Sequence, residues 1–540
     1  METVYSGKLK TGFKDRLNFA FLCALTLLSF PAPVFSEIRP AGIFTDNMVL
    51  QCDEPVRVWG TAEPGETVTI EFAGQKKITA ANAGGQWQVQ LDPLPASSEP
   101  CEMIFKSSVN NLQSTIINVL VGEVWLAGGQ SNMASTMGNY MRTVKDDVMS
   151  ANDSLLRVAT VPRLDYSGEN DSAPEWKMTN PQTVRTFSAT AYYFGKNLRD
   201  ALDVPVGIIV CAVGATPAEA WMSRKTLEAD TDLKKVIDAY DSHVKKTFPD
   251  ESSFTEYLKE YDRLVEEWLR KKAERQKVGW KPEIEMSCRN FKRPGGLYET
   301  MLKQVIPYTI RGVIWYQGEN NANNHAAAHY RKIFPALINE WRADFNNPDL
   351  PFLFVQLATF GGKDANEPQW AELREVQRWT EKNVQNTGMA VLVDGGEEKD
   401  IHPHSKPEAG RRLGLLARNI AYGENNLICR GPELKESKVS GSVIELTFNT
   451  PDVRLIPVSG TENAFEICGE DRKFVAAGAV CRDGKIIVSS PEINNPVFVR
   501  YGWKKWFVPS LFNTAGLPAS PFRTDDFPFV TKGRFYLDSL

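Results

Sequence analysis

The sequence predicts an open, mainly parallel α/β domain flanked on both sides by β-rich domains, and three observations predict it. From residue 119 to about 430, short and nearly continuous apolar runs alternate with helix-patterned segments. Over 37–118 and again from 431, short strands with alternating side chains are punctuated by turn residues. At 540 residues the chain exceeds what one hydrophobic core organises, so two or three domains are expected.

In chain order, Lys8, Lys10, Lys14 and Arg16 precede an apolar stretch from Phe19 to Phe30. That stretch is shorter than the roughly 20 apolar residues a membrane span needs, and it ends in Val34-Phe35-Ser36, where signal peptidase reads small residues. Residues 1–36 therefore read as a signal peptide. The expected product is secreted or periplasmic, with no membrane insertion after cleavage. Residues 37–118 read as a β-sandwich domain, from strands such as Val56-Arg57-Val58-Trp59, Val68-Thr69-Ile70-Glu71-Phe72 and Trp87-Gln88-Val89-Gln90-Leu91.

Residues 119–430 carry the apolar runs Glu123–Ala127, Val206–Val210, Gly312–Tyr316, Phe352–Gln356 and Met389–Val393. Continuous runs of this kind suit strands buried on both faces of a parallel sheet. Between them, Tyr330, Phe334, Leu337, Ile338 and Trp341 line one helical face. A charged, helix-prone segment at about 224–275 reads as an insertion. Residues 431–540 form a C-terminal β-rich domain with strands Val443–Leu446, Lys485–Val488 and Val497–Arg500.

Charge excludes some partners. The chain has 62 basic and 67 acidic residues without a concentrated basic face, so neither nucleic acid nor a charged membrane surface is an expected partner. Removing Cys23 with the signal segment leaves seven cysteines, an odd number. Cys52 with Cys101, and Cys468 with Cys481, are candidate pairs. No Cys/His cluster has zinc spacing, so no metal or cofactor is expected.

Ligands of open α/β sheets sit beyond the carboxyl ends of the strands. After the first run comes Gly128-Gly129-Gln130-Ser131-Asn132-Met133, where Ser131 reads either as a nucleophile or as a helix N-cap. After the second comes Val213-Gly214-Ala215-Thr216, a backbone N–H donor site or a plain turn. After the third, Gln317-Gly318-Glu319-Asn320-Asn321 crowds amides and a carboxylate behind a glycine, and Asn320 suits an oxyanion donor. Of the five histidines, His243 lies in the charged insertion, and His325 and His329 lack a third ligand. His402 and His404 follow the last run, with Asp400 two residues before His402. His402 is the expected general base, and Asp400 the candidate group to orient it.

Taken together, Gly129-Gln130-Ser131-Asn132-Met133, Trp315-Tyr316-Gln317-Gly318-Glu319-Asn320-Asn321 and Asp400-Ile401-His402-Pro403 resemble the sialate O-acetylesterase family, a branch of the SGNH hydrolases. Glu219-Ala220-Trp221-Met222 and Arg500-Tyr501-Gly502-Trp503 add to the resemblance, which covers residues from about 38 to about 525. It implies a flavodoxin-like SGNH three-layer sandwich with a parallel sheet, flanked by β-sandwich-like domains. It further implies metal-independent hydrolysis of O-acetylated carbohydrate through an acetyl-enzyme. Carried over by position, Ser131 is the nucleophile and His402 the base, and the oxyanion donors are Ser131 N–H, Gly214 N–H and a side chain of the Gln317–Asn320 stretch. Gln130, Gln317, Glu319, Arg374 and Gln377 are candidate supporting or substrate-contacting residues. The family usually reads Asp-x-x-His, whereas Lys399 stands at that position here. A Ser–His dyad thus remains open beside a triad with Asp400. Three rival readings stand: an esterase of acetylated xylan or another plant glycan, a non-catalytic carbohydrate-binding protein, and a glycosidase using Glu319 and Asp394.

Overall fold

One long strand joins the two halves of the architecture. In the computed structural model, which describes residues 38–109, 113–164, 173–450, 452–456 and 464–538, strand β1 runs over Gln113–Gly129. Exposure alternates over 113–118, and every residue over 119–129 is buried. The alternating half pairs antiparallel with Ser97–Ser107, among the N-terminal strands. The buried half is the middle of a parallel sheet, as its unbroken apolar sequence demands. The expected signal peptide lies outside the described residues, and the expected division at 118/119 falls inside β1.

Around β1 the chain adds β2 (Asp153–Thr160), β3 (Glu175–Thr179), β4 (Val206–Ala212), β5 (Gly312–Tyr316), β6 (Phe352–Val355) and β7 (Thr387–Ala390), in the order β3-β2-β4-β1-β5-β6-β7. All neighbours are parallel except β3, which runs antiparallel to β2. The chain fills the β4 side of β1 first and then the β5 side, which makes the end of β1 the point where the winding reverses.

Six helices matter for the site: α1 (Ser131–Ala134), α2 (Ala189–Leu202), α3 (Glu319–Asn323), α4 (Ala327–Asp344), α5 (Pro368–Asn383) and α6 (Lys406–Ile420). Alternate strand residues face two different cores. Val124, Leu126 and Ile209 pack with α4 and α5, whereas Trp125, Ala127 and Ile208 pack with α2 and α6. The expected α4 stripe of Tyr330, Phe334, Leu337, Ile338 and Trp341 is fully buried.

Helices Arg224–Ala229, Lys234–Thr247 and Glu251–Ala273 occupy the charged segment, and the last has no buried residue. After residue 430 come two four-stranded antiparallel sheets around a core that includes Ile444, Ile467, Val488 and Tyr501. The fold is thus mixed α/β, with a mixed-orientation central sheet and further β-rich C-terminal sheets. Among the described residues no helix is long and apolar enough to cross a membrane.

The cysteine pairings are not formed: Cys52, Cys101, Cys468 and Cys481 are all free. The Cys52 thiol turns instead to the Glu123 carboxylate at 3.2 Å. Cys468 and Cys481 stand in different sheets.

Candidate active site

The turn after β1 depends on Gly129. Its φ is 135°, and a Cβ there would lie 2.2 Å from the Tyr316 carbonyl oxygen. No larger residue fits. Gln130 occupies the N-cap position, and Ser131 is the first helical residue. The Ser131 hydroxyl makes no hydrogen bond among the described residues, which removes the capping explanation for a serine at this junction.

Strand register brings three turns together. Gly129 stands opposite Ala212 of β4 and Tyr316 of β5. Gly214 follows β4 so closely against α1 that a Cβ on it would lie 3.4 Å from the Ser131 Cβ. Asn320, in α3, donates from Nδ2 to the Ala215 carbonyl at 3.1 Å, and its backbone N–H reaches Gln130 Oε1 at 3.2 Å. Ser131, Gly214 and Asn320 therefore converge at the carboxyl end of β1.

Behind them lies a buried lattice of amides. Gln317 donates to Asn321 Oδ1 at 2.7 Å and to the Thr216 carbonyl at 3.1 Å, and accepts from the Tyr330 hydroxyl at 2.9 Å. Asn321 in turn donates to Glu219 at 2.9 Å, and burial lifts the Glu219 carboxyl to about 7. Gln130 and Gln317 thus support the turns from below.

The histidine loop is held differently. His402 lies between β7 and α6, with a side chain 43% exposed. Asp400 Oδ1 accepts the His402 backbone N–H at 2.8 Å and lies 3.7 Å from the ring Nδ1. The first contact is a hydrogen bond; the second is too long to be one. His404 Nδ1, by contrast, is 2.8 Å from Glu397. The loop is joined to α1 through Asn132, which donates to the Ile401 carbonyl at 3.1 Å and to Glu319 Oε1 at 2.5 Å. Burial, then the nearby Lys406 ammonium, hold the His402 imidazole below its ordinary value, against the opposing pull of Asp400.

Two expected substrate contacts are corrected. Arg374 and Gln377 are fully buried in α5. Arg374 donates to the carbonyls of Leu357, Ala358, Lys504 and Lys505, and Gln377 to that of Val355. Arg374 ties the C-terminal segment to the sheet, and Gln377 ties α5 to β6 and reaches the Gln317 carbonyl at 3.4 Å, so neither stands on a solvated helix face. A glycosidase pair is not built either. Asp394 is engaged by both terminal nitrogens of Arg412 at 2.6 and 2.7 Å, and Glu319 is buried under α1. His329 bonds the Asp232 carbonyl, and no metal-binding cluster of His, Cys, Asp or Glu occurs among the described residues.

Lys406 joins the site from outside the sequence motifs. It is buried, with Nζ 2.5 Å from Asn132 Oδ1. The only signal available was its position four residues after His402.

The family model for carbohydrate esterases described as sialic acid-specific acetylesterases matches residues 121–249 and 283–421, which contain every converging residue. A carbohydrate acetylesterase from Xanthomonas citri superposes with a TM-score of 0.73 at 32% identity, over 91% of this chain and all of that one. The chain belongs to the sialic acid-specific acetylesterase family of carbohydrate esterases. It is a carboxylic ester hydrolase. The sialate O-acetylesterases of Mus musculus and Homo sapiens are each 28% identical, over 91% and 90% of this chain and 98% and 92% of their own lengths.

Proposed function

We propose that this esterase removes O-acetyl groups from sialic acid, such as the 9-O-acetyl, with Ser131 as nucleophile and His402 as general base. The observation that carries the reading is the convergence of Ser131, Gly214 and Asn320 at three adjacent strand ends, facing a loop whose Ile401 carbonyl is tied to α1 by Asn132.

In the first half-reaction the Ser131 hydroxyl attacks the acetyl carbonyl while His402 accepts its proton. The oxyanion is stabilised by the N–H groups of Ser131 and Gly214 and by the Asn320 side chain, whose second Nδ2 hydrogen is not used by Ala215. The tetrahedral centre collapses, the acetyl C–O bond to the sugar breaks, and His402 returns the proton to the sugar oxygen. Water then adds to the acetyl-enzyme, giving its proton to His402, and acetate leaves as Ser131 is reprotonated. The cycle is complete without a metal or a cofactor. Asp400 is assigned the role of orienting His402.

The finer architecture is proposed on the same basis: residues 119–430 as a flavodoxin-like SGNH three-layer sandwich with the helical insertion, flanked by β-domains over 37–118 and 431–540. The exported form lacking 1–36 is proposed from the N-terminal sequence alone.

Labelling Ser131 with an organophosphate, and its absence in Ser131→Ala, tests the nucleophile; binding of sugar without turnover would instead mark a carbohydrate-binding protein. One observation favours a second substrate reading. The Xanthomonas citri relative, at 32% identity, is a carbohydrate acetylesterase, a class wider than sialate esters. Acetate release from a 9-O-acetylated sialoside against acetylated xylan separates the two. Faster release from xylan would move the assignment to plant glycans.

A further inference from the structure

Lys406 is where the two halves of the site meet. It opens α6, is 1% exposed, and its backbone N–H closes the histidine loop onto the His404 carbonyl at 2.8 Å. Its ammonium donates to Asn132 Oδ1 at 2.5 Å, while Asn132 Nδ2 serves Glu319 Oε1 and the Ile401 carbonyl. That amide has one orientation only. Turned over, it would set its oxygen against two acceptors and its NH₂ against a cation. The rings of Tyr140 and Tyr316 flank the ammonium at 5.2 and 5.6 Å, which offsets part of the cost of burying it. Burying a lysine for packing alone is costly, since an aliphatic residue fills the same volume.

We propose that Lys406 is a positioning residue for the reaction: through Asn132 it fixes the Ile401 backbone and so sets the His402 ring against Ser131. This inference rests on the assignment of Ser131 and His402 above.

The same ammonium acts on the base by charge. The groups facing it are Glu319 from α3, Asp400 and Glu397 from the loop, and the two tyrosines from the segments before α2 and from β5. Burial lowers Lys406 to about 7, with the three carboxylates opposing. While it is charged it disfavours the imidazolium of His402. Removing it should therefore move the acid limb of activity to higher pH.

The test measures kcat and KM on an aryl acetate across about pH 5 to 9 for wild type, Lys406→Met, Lys406→Arg and His402→Ala. Near-UV circular dichroism reports the fold. Lys406→Met is expected to lose about 10- to 100-fold in kcat with KM nearly unchanged, and its acid limb should rise by about half a pH unit or more. Lys406→Arg keeps the charge, so its acid limb should stay near wild type while kcat recovers in part. A folded Lys406→Met with wild-type kcat and an unmoved acid limb overturns the proposal while leaving the base assignment intact. Retained activity in His402→Ala overturns the base assignment and this inference with it. Should Lys406→Met not fold, Lys406→Gln is measured in its place, and a folded variant with wild-type kcat and an unmoved acid limb overturns the proposal.

Discussion

The Ser131 side of the site is built from strand ends, and the His402 side from a loop. Ser131, Gly214 and Asn320 leave β1, β4 and β5, whose backbone ladders set their spacing before any side chain contributes. Beneath them, in a buried layer, Gln317 donates to Asn321 and Gln130 accepts the Asn320 backbone N–H. His402 has no such ladder. Its ring makes no hydrogen bond among the described residues, and its backbone is held by Asp400 and by the reach of Asn132 to Ile401. The contrast shows where precision is inherited from the sheet and where side chains must supply it. Substitutions beneath the strand ends should act through stability, and substitutions around the loop through rate and pH.

The largest expected effect is on the loop itself. His402→Ala should lower kcat by about 10⁵-fold or more, as removal of a general base does in serine hydrolases; a burst-and-turnover assay on an aryl acetate measures it. In the wild type the acid limb of kcat/KM should lie below pH 6.5, because burial and Lys406 depress the imidazole. His402 accepts a proton only when neutral, so activity is present above that limb and falls as pH drops through it. A limb at or above 6.5 would mean that the loop is looser and wetter than described.

Next comes Asn320→Ala, expected to reduce kcat by about 10²–10³-fold with little change in KM. A loss confined to KM would make Asn320 a substrate contact rather than an oxyanion donor. Asp400→Asn should cost about 100-fold, short of the roughly 10⁴-fold found for a buried triad carboxylate, since Asp400 is half-exposed and 3.7 Å from the ring. A loss below about threefold would leave a Ser–His dyad.

The smallest effect belongs to the scaffold. Burial raises the Glu219 carboxyl from 4.5 to about 7, so the folded state holds a proton that the unfolded chain has released. Stability from this group is therefore fully present below pH 4.5 and is lost as pH rises to about 7. Glu219→Gln should raise the Tm at pH 8 and change it little at pH 4, by up to about 3 kcal/mol in stability at the higher pH. Equal shifts at both pH values would show that the carboxylate is solvated on the strand-end side.

Much of this was legible in the chain. Continuous apolar runs marked the strands, because a strand buried on both faces cannot alternate. The α4 stripe was read correctly, because helical periodicity reports burial directly. What the runs do not reveal is that one of them continues an antiparallel strand across 118/119. Arg374 and Gln377 misled for a related reason: a polar side chain gives no sign in sequence that backbone carbonyls are waiting for it inside the fold. Lys406 gives no such sign, because a lysine is buried so rarely that local sequence argues against it.

By itself the sequence determined which residues could perform acyl transfer, because a serine after a glycine-rich strand end and a single His-Pro-His loop leave few choices. Which of them meet was decided by the tertiary structure. Register places Gly129 beside Ala212 and Tyr316, and one asparagine joins the two sides of the site. Both are contacts between residues far apart in the chain, and no local propensity encodes them.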